Sequence, residues 1–178
     1  MTEKDMTLGT NYTRDVDPVG WFASEKLWDV RAYWDGSFLW TRGGNRIAAP
    51  TRFIAGLPKG MQLDGGIYSG RGGQEAARRA VQYSDWTGKE TFAVYDAPRA
   101  IGPWHKRIEA AALLLDGRSP IARTVCGFKI KSREHLADIV SEVLLGGGEG
   151  VMIRNPKITR YETGRTANLL KIKNVNVL

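Results

Sequence analysis

A carboxylate stands at the mouth of a short apolar segment in Gly148-Glu149-Gly150-Val151-Met152-Ile153-Arg154. Further on, Leu169-Leu170-Lys171-Ile172-Lys173 alternates two lysines with apolar residues. A third lysine lies near the N-terminus in Ser24-Glu25-Lys26-Leu27. A lysine becomes a nucleophile when its neutral amine is populated, which neighbouring cations or desolvation favour. Lys171 and Lys173, two apart on a strand, share a face and could meet a phosphate chain. Glu149 is the hard oxygen donor that magnesium takes alongside phosphates and water. Asp64 reads either as a turn residue or as a second carboxylate near the metal. Arg31, Arg42 and Arg154 could bind phosphate or ribose, and Tyr95 could stack a base. Each residue taken singly also has a plainer reading: a solvated lysine, a loop glutamate, a surface arginine, a core tyrosine.

The elements that must position these residues are legible from periodicity. Residues 1–16 are polar and mixed in charge, and are expected to be a flexible tail. From Trp21 the pattern is β, and Asp35-Gly36 between aromatic-rich segments predicts a hairpin. Strands are expected at 61–68, 91–96, 124–130, 151–154 and 168–173. Helices are expected at 73–84, 104–115 and from an N-cap at Ser132 to Leu145. Gly146-Gly147-Gly148 ends the last helix. Interleaved elements with hairpin signals predict an α+β fold with antiparallel sheets flanked by helices.

A chain of 178 residues can form one domain with a core of its own. Its net charge of +7 favours a polyanionic partner, nucleic acid first. One cysteine, Cys126, excludes an intrachain disulfide and a cysteine zinc cluster. No signal peptide or membrane span is evident, so a cytoplasmic protein without a membrane partner is expected. No phosphate loop ending in Gly-Lys-Ser/Thr is present, which argues against a P-loop enzyme.

The order of these segments resembles the ATP-dependent DNA ligase family, in particular the adenylation (nucleotidyltransferase) domain of compact bacterial and viral members. The resemblance covers about residues 17–173. Ser24-Glu25-Lys26-Leu27 with Arg31-Ala32-Tyr33-Trp34-Asp35-Gly36 is similar to the segment around the family's adenylated lysine. Thr41-Arg42-Gly43-Gly44-Asn45 resembles the motif whose arginine contacts the nick phosphate. Leu63-Asp64-Gly65 and Phe92-Ala93-Val94-Tyr95-Asp96 resemble the central motifs, the second supplying an aromatic that stacks on adenine. Glu149 to Arg154 and Leu169 to Lys173 match the metal-directing and phosphate-binding motifs, and Tyr161-Glu162-Thr163-Gly164-Arg165 fits the compact ligases.

The resemblance implies an enzyme using ATP and magnesium (or manganese). Lys26 would form lysyl-AMP, pass AMP to the 5′-phosphate of nicked double-stranded DNA, and so allow sealing, in repair or replication. Lys26, Lys171 and Lys173 would be catalytic. Glu25, Lys26, Arg31, Tyr95, Lys171 and Lys173 would bind nucleotide, Arg42 DNA, and Glu149 and Asp64 metal. The adenylation domain is expected to span residues 17–178 as a monomer, with no oligonucleotide-binding-fold domain in this chain. Three features depart from the pattern. Trp28 and Asp29 stand where the family has Asp-Gly, Gly66 stands where it has a glutamate near the ribose, and the chain stops five residues after Lys173. A one-residue shift along a strand would turn Asp29 to the opposite face unless a bulge intervened. These departures leave the alternative of a ligase-like protein that binds nucleotide or nicked DNA without efficient catalysis. Against a second alternative, a nucleotidyltransferase acting on RNA ends or caps, stands the compact-ligase match at Tyr33-Trp34-Asp35-Gly36 and Tyr161 to Arg165.

Overall fold

Alternation of side chains decides this architecture, because strands of period two separate an apolar face from a polar one. The computed structural model describes residues 5–178. In chain order the elements are β1 (Thr7–Asn11), β2 (Phe22–Lys26), β3 (Val30–Trp34), β4 (Leu39–Thr41), α1 (Thr51–Ala55), β5 (Leu63–Tyr68) and α2 (Gln74–Tyr83). They continue with β6 (Thr91–Asp96), α3 (Trp104–Leu115), β7 (Ala122–Thr124), β8 (Gly127–Lys129), α4 (Arg133–Leu145), β9 (Gly150–Arg154) and β10 (Gly164–Ile172). A 3-10 turn at Val175–Val177 follows.

The strands form two five-stranded sheets, ordered β1-β10-β9-β2-β8 and β4-β3-β5-β6-β7. Each has its own apolar layer. Ala23, Val151, Ile153, Leu170 and Ile172 of the first sheet pack with Leu136 and Val140 of α4. Ala32, Trp34, Leu63, Ile67, Phe92 and Val94 of the second pack with Phe53 of α1, Ala77 of α2 and Ala111 and Leu115 of α3. The alternate positions of the same strands, among them Lys26, Arg31, Asp64, Tyr95, Met152, Arg154 and Lys171, line a shared cleft of about 960 Å³.

The fold is the expected α+β class, and most predicted elements are present. The Asp35-Gly36 turn forms as read: Asp35 Oδ1 accepts from the amides of Ser37 and Phe38 at 2.8 and 2.7 Å. Ser132 caps α4, its Oγ accepting from the His135 amide at 3.1 Å. Pairing is mainly antiparallel, but β1–β10 and β6–β7 are parallel. The single strand expected at 124–130 is two, β7 and β8, which belong to different sheets.

The expectation of a flexible tail over 1–16 is corrected from residue 6 onward, while residues 1–4 lie outside the described residues. Thr7–Asn11 is an edge strand paired with β10. Met6 is fully buried, and its carbonyl accepts from the Gly164 amide at 2.8 Å. Polar composition concealed the strand because an edge needs few apolar side chains once its backbone pairs with a long neighbour. Truncating a buried methionine costs about 2–5 kcal/mol. Met6→Ala should therefore lower unfolding stability by that amount in urea titrations, and an unchanged midpoint would return the segment to a tail.

Candidate active site

Lys26 is the last residue of β2, opposite Gly150 of β9. Its ammonium donates to Glu149 Oε2 at 2.5 Å, and the Lys173 ammonium meets Glu149 Oε1 at 2.6 Å. One carboxylate therefore holds two lysines from opposite ends of the chain. Gly150 makes this possible: its φ is +143°, and a Cβ there would stand 2.1 Å from the Ile172 carbonyl oxygen. Burial raises the Glu149 carboxyl, but the hydrogen bonds from Lys173 and Lys26 outweigh it and hold the group below its ordinary value.

Lys171 lies in β10 opposite Met152 and faces the cleft, with its neighbours Leu170 and Ile172 turned into the core. Among the described residues its ammonium has no ion-pair partner. Arg154, at the end of β9, donates to Ser24 Oγ at 2.7 Å and lies 4.6 Å from the Trp104 ring centroid. Burial draws its pKa down to about 10, opposed by Asp96 and Asp64, so it stays cationic at neutral pH.

A second cluster closes the floor. Arg31 donates to both oxygens of Asp64, at 2.8 and 2.6 Å, and to the Thr7 carbonyl at 2.9 Å. The Tyr161 hydroxyl donates to Asp64 Oδ2 at 2.7 Å and accepts from the Thr7 amide at 2.9 Å. Asp64, expected as a metal ligand, is committed in this structure to Arg31 and Tyr161. A carboxylate already gripped by a bidentate arginine and a phenol orients Arg31 instead of offering a free ligand face. Among the described residues, no group of three His, Cys, Asp or Glu is arranged to hold a metal.

Tyr95 enters the cleft through a register break. Asp64 pairs with Asp96 and Gly65 with Val94, so Tyr95 is skipped in the β5–β6 ladder. A bulge of this kind re-aims the residue it leaves over. The Tyr95 hydroxyl donates to Asp29 Oδ2, and the Arg31 guanidinium lies 5.5 Å from the ring centroid. Glu25 sits at the rim, tied to Arg71 at 3.1 Å. Arg42 is exposed in the turn after β4, at the cleft edge.

The Trp28–Asp29 departure has a simple outcome. Residues 27–29 connect β2 to β3 and are not strand, so the strict alternation that would reverse Asp29 does not apply. Trp28 is exposed, and Asp29 turns into the cleft. Sequence reasoning missed Arg107, which grips Asp96 at 2.8 and 2.7 Å as a buried pair. Its signal was present: Trp104, Arg107, Ala111 and Leu115 share the buried stripe of α3, where an arginine requires a partner.

No family model matches the chain. A curated DNA ligase of Haemophilus influenzae is 33% identical over 166 residues, 91% of this chain and 61% of that protein. The chain thus spans about three-fifths of that relative's length. A solved structure from a structure–function study of Lig E DNA ligases is 31% identical, with a TM-score of 0.83 over 96% of this chain and 68% of that one. Chlorella virus DNA ligase-adenylate shares the fold at 21% identity, with a TM-score of 0.77 over 97% of this chain and 69% of that one.

Two outcomes follow from the geometry. Arg31→Lys keeps a charge but loses the two-pronged grip on buried Asp64, and should cost about 1–3 kcal/mol in chemical denaturation. The lowered Glu149 carboxyl contributes stability that is fully present above its ordinary value of 4.5 and is lost as pH falls through the depressed one. Glu149→Gln should therefore flatten the acid side of a stability–pH profile, and an unaltered slope there would mean that the bridge carries no such linkage.

Proposed function

The chain belongs to the ATP-dependent DNA ligase family, and on that premise we propose that residues 5–178 are an adenylation domain that transfers AMP from ATP through Lys26 to a nicked DNA end. The observation that carries this reading is the Glu149 bridge, which ties Lys173 to Lys26 at a cleft lined by Lys26, Lys171, Arg31 and Arg154.

The chemistry follows from positions. Lys26 Nζ attacks the α-phosphorus of ATP, a nitrogen–phosphorus bond forms, and the bond to the β-phosphate breaks with release of pyrophosphate. Glu149 Oε2, 2.5 Å away, orients the amine and offers a path for its proton. Lys171 in the cleft and Lys173, bridged to Lys26 through Glu149, neutralise the phosphate charge, and such transfers depend mostly on positioning and charge. Both Glu149 oxygens hold lysines here, so Glu149 would take magnesium by exchanging one of them, and the ion when bound would supply further charge neutralisation on the phosphates. Tyr95 meets the base and Arg31, held by Asp64, the ribose or phosphate.

AMP then passes from Lys26 to a DNA 5′-phosphate, and attack by the 3′-hydroxyl displaces it and joins the strand. Arg42, at the exposed edge, would meet the nick phosphate, and the net charge of +7 favours the DNA backbone. No helix among the described residues is long and apolar enough to cross a membrane. The reading is of a cytoplasmic monomer on nicked duplex DNA.

Intact mass after incubation with ATP and magnesium tests the nucleophile. Wild type should gain one AMP and Lys26→Ala none, while Lys171→Ala should slow labelling at least tenfold. A wild type that binds ATP yet forms no adduct would leave a binding protein in place of an enzyme.

A further inference from the structure

We propose that Asp29 is the acceptor for a ribose hydroxyl of the bound nucleotide, and that Gly66 lacks a side chain to give it room. The inference rests on the nucleotide reading of the cleft and adds a residue to it.

Gly66 lies in the middle of β5, between Arg31 of β3 and Ala93 of β6. A Cβ built there would fall 1.3 Å from Asp29 Oδ2, 2.4 Å from the carboxyl carbon of Asp29 and 2.9 Å from the Tyr95 hydroxyl oxygen. The Asp29 carboxylate therefore occupies the space that any side chain at position 66 would fill. It arrives from the connection between β2 and β3, while β5 supplies only bare backbone. The two departures from the family's pattern, an aspartate where it has glycine and a glycine where it has glutamate, meet at one point.

The chemistry of this carboxylate limits what it can bind. Its Oδ2 accepts from the Tyr95 hydroxyl, and among the described residues no other side chain donates to it. Burial raises its pKa, against the pull of Tyr95, Arg31 and Lys26. A partly desolvated acceptor with capacity left over calls for a donor, and a phosphate would be repelled. A nucleoside triphosphate carries donors on its ribose hydroxyls and on the base amine. Order along the site selects between them. Lys26 faces the α-phosphate, Tyr95 the base, and Asp29 lies three residues from the first and in contact with the second, where the ribose joins the two.

Equilibrium binding of ATP, 2′-deoxy-ATP and 3′-deoxy-ATP reads this contact without requiring any chemistry. A lost hydrogen bond to a charged acceptor reduces affinity roughly tenfold or more, so wild type should prefer ATP to one deoxy analogue by that factor. Asp29→Gly should bring the ratio to about one and leave affinity for that analogue within about threefold. Asp29→Asn, closer in shape, guards against a fold defect and should lower the ratio too. Gly66→Glu alone should lose ATP binding, whereas Asp29→Gly combined with Gly66→Glu should regain ribose discrimination from the other strand. Equal weakening toward all three nucleotides in Asp29→Gly and Asp29→Asn, or a double variant no better than Gly66→Glu, would overturn the assignment. Wild type that discriminates the ribose but transfers no AMP would sink the enzymatic reading and leave this one standing. Wild type that binds none of the three would remove both.

Discussion

The buried carboxylate of Asp64 sets a constraint that the rest of the molecule satisfies. It is 2% exposed in the centre of a sheet, and an ionised group there is tolerated only when paired and hydrogen-bonded. Arg31 supplies two bonds from the neighbouring strand and Tyr161 a third. Both partners also bind the backbone of Thr7, the first residue of β1. The neutralisation of one charge thus joins the two sheets across the base of the cleft and gives the N-terminal strand a structural task. Such a network is weak evidence of added stability, since desolvation offsets much of the attraction. Its consequence is geometric: Arg31 is fixed in direction.

The same logic runs through the cleft walls. Strands with one apolar face must bury it against helices, and their other faces then confront each other across a polar space. Because the two sheets have separate apolar layers, charged side chains converge between them without entering either core. Cations predominate in the lining: Lys26, Arg31, Arg42, Arg46, Arg107, Arg154, Arg160, Arg165 and Lys171 stand against Glu25, Asp29, Asp64, Asp96 and Glu162. Asp64 and Asp96 hold arginines in place, Asp29 meets a phenol, and Glu162 accepts from Thr166 and Asn168. A cleft of this kind favours a polyanionic ligand while its acids define where each positive group points.

Gly66 and Asp29 illustrate how a site can keep a chemical group and change its origin. Backbone direction matters less to a ligand than the position of the terminal oxygen. An acid from a connector can fill the space left by a strand residue, provided that strand residue is glycine.

Several features were decided by the sequence alone. The alternation in Leu170-Lys171-Ile172 and the turn chemistry at Asp35-Gly36 depend only on local stereochemistry, as does the cap at Ser132. Lys26, Glu149 and Lys171 are marked as candidates by residue type, order and family resemblance. The arginine on the buried stripe of α3 was a local signal left unread. Other features depend on distance across the fold. Thr7–Asn11 is a strand because β10 pairs with it, which no composition of its own announces. Asp64 belongs to Arg31 and Tyr161 because three separate segments meet there. Asp29 reaches the cleft because β2 ends at Lys26 and releases it from alternation, and because β5 has no side chain at Gly66. Local periodicity fixes which face a side chain takes, but only the packing of one strand against another determines which charge it meets.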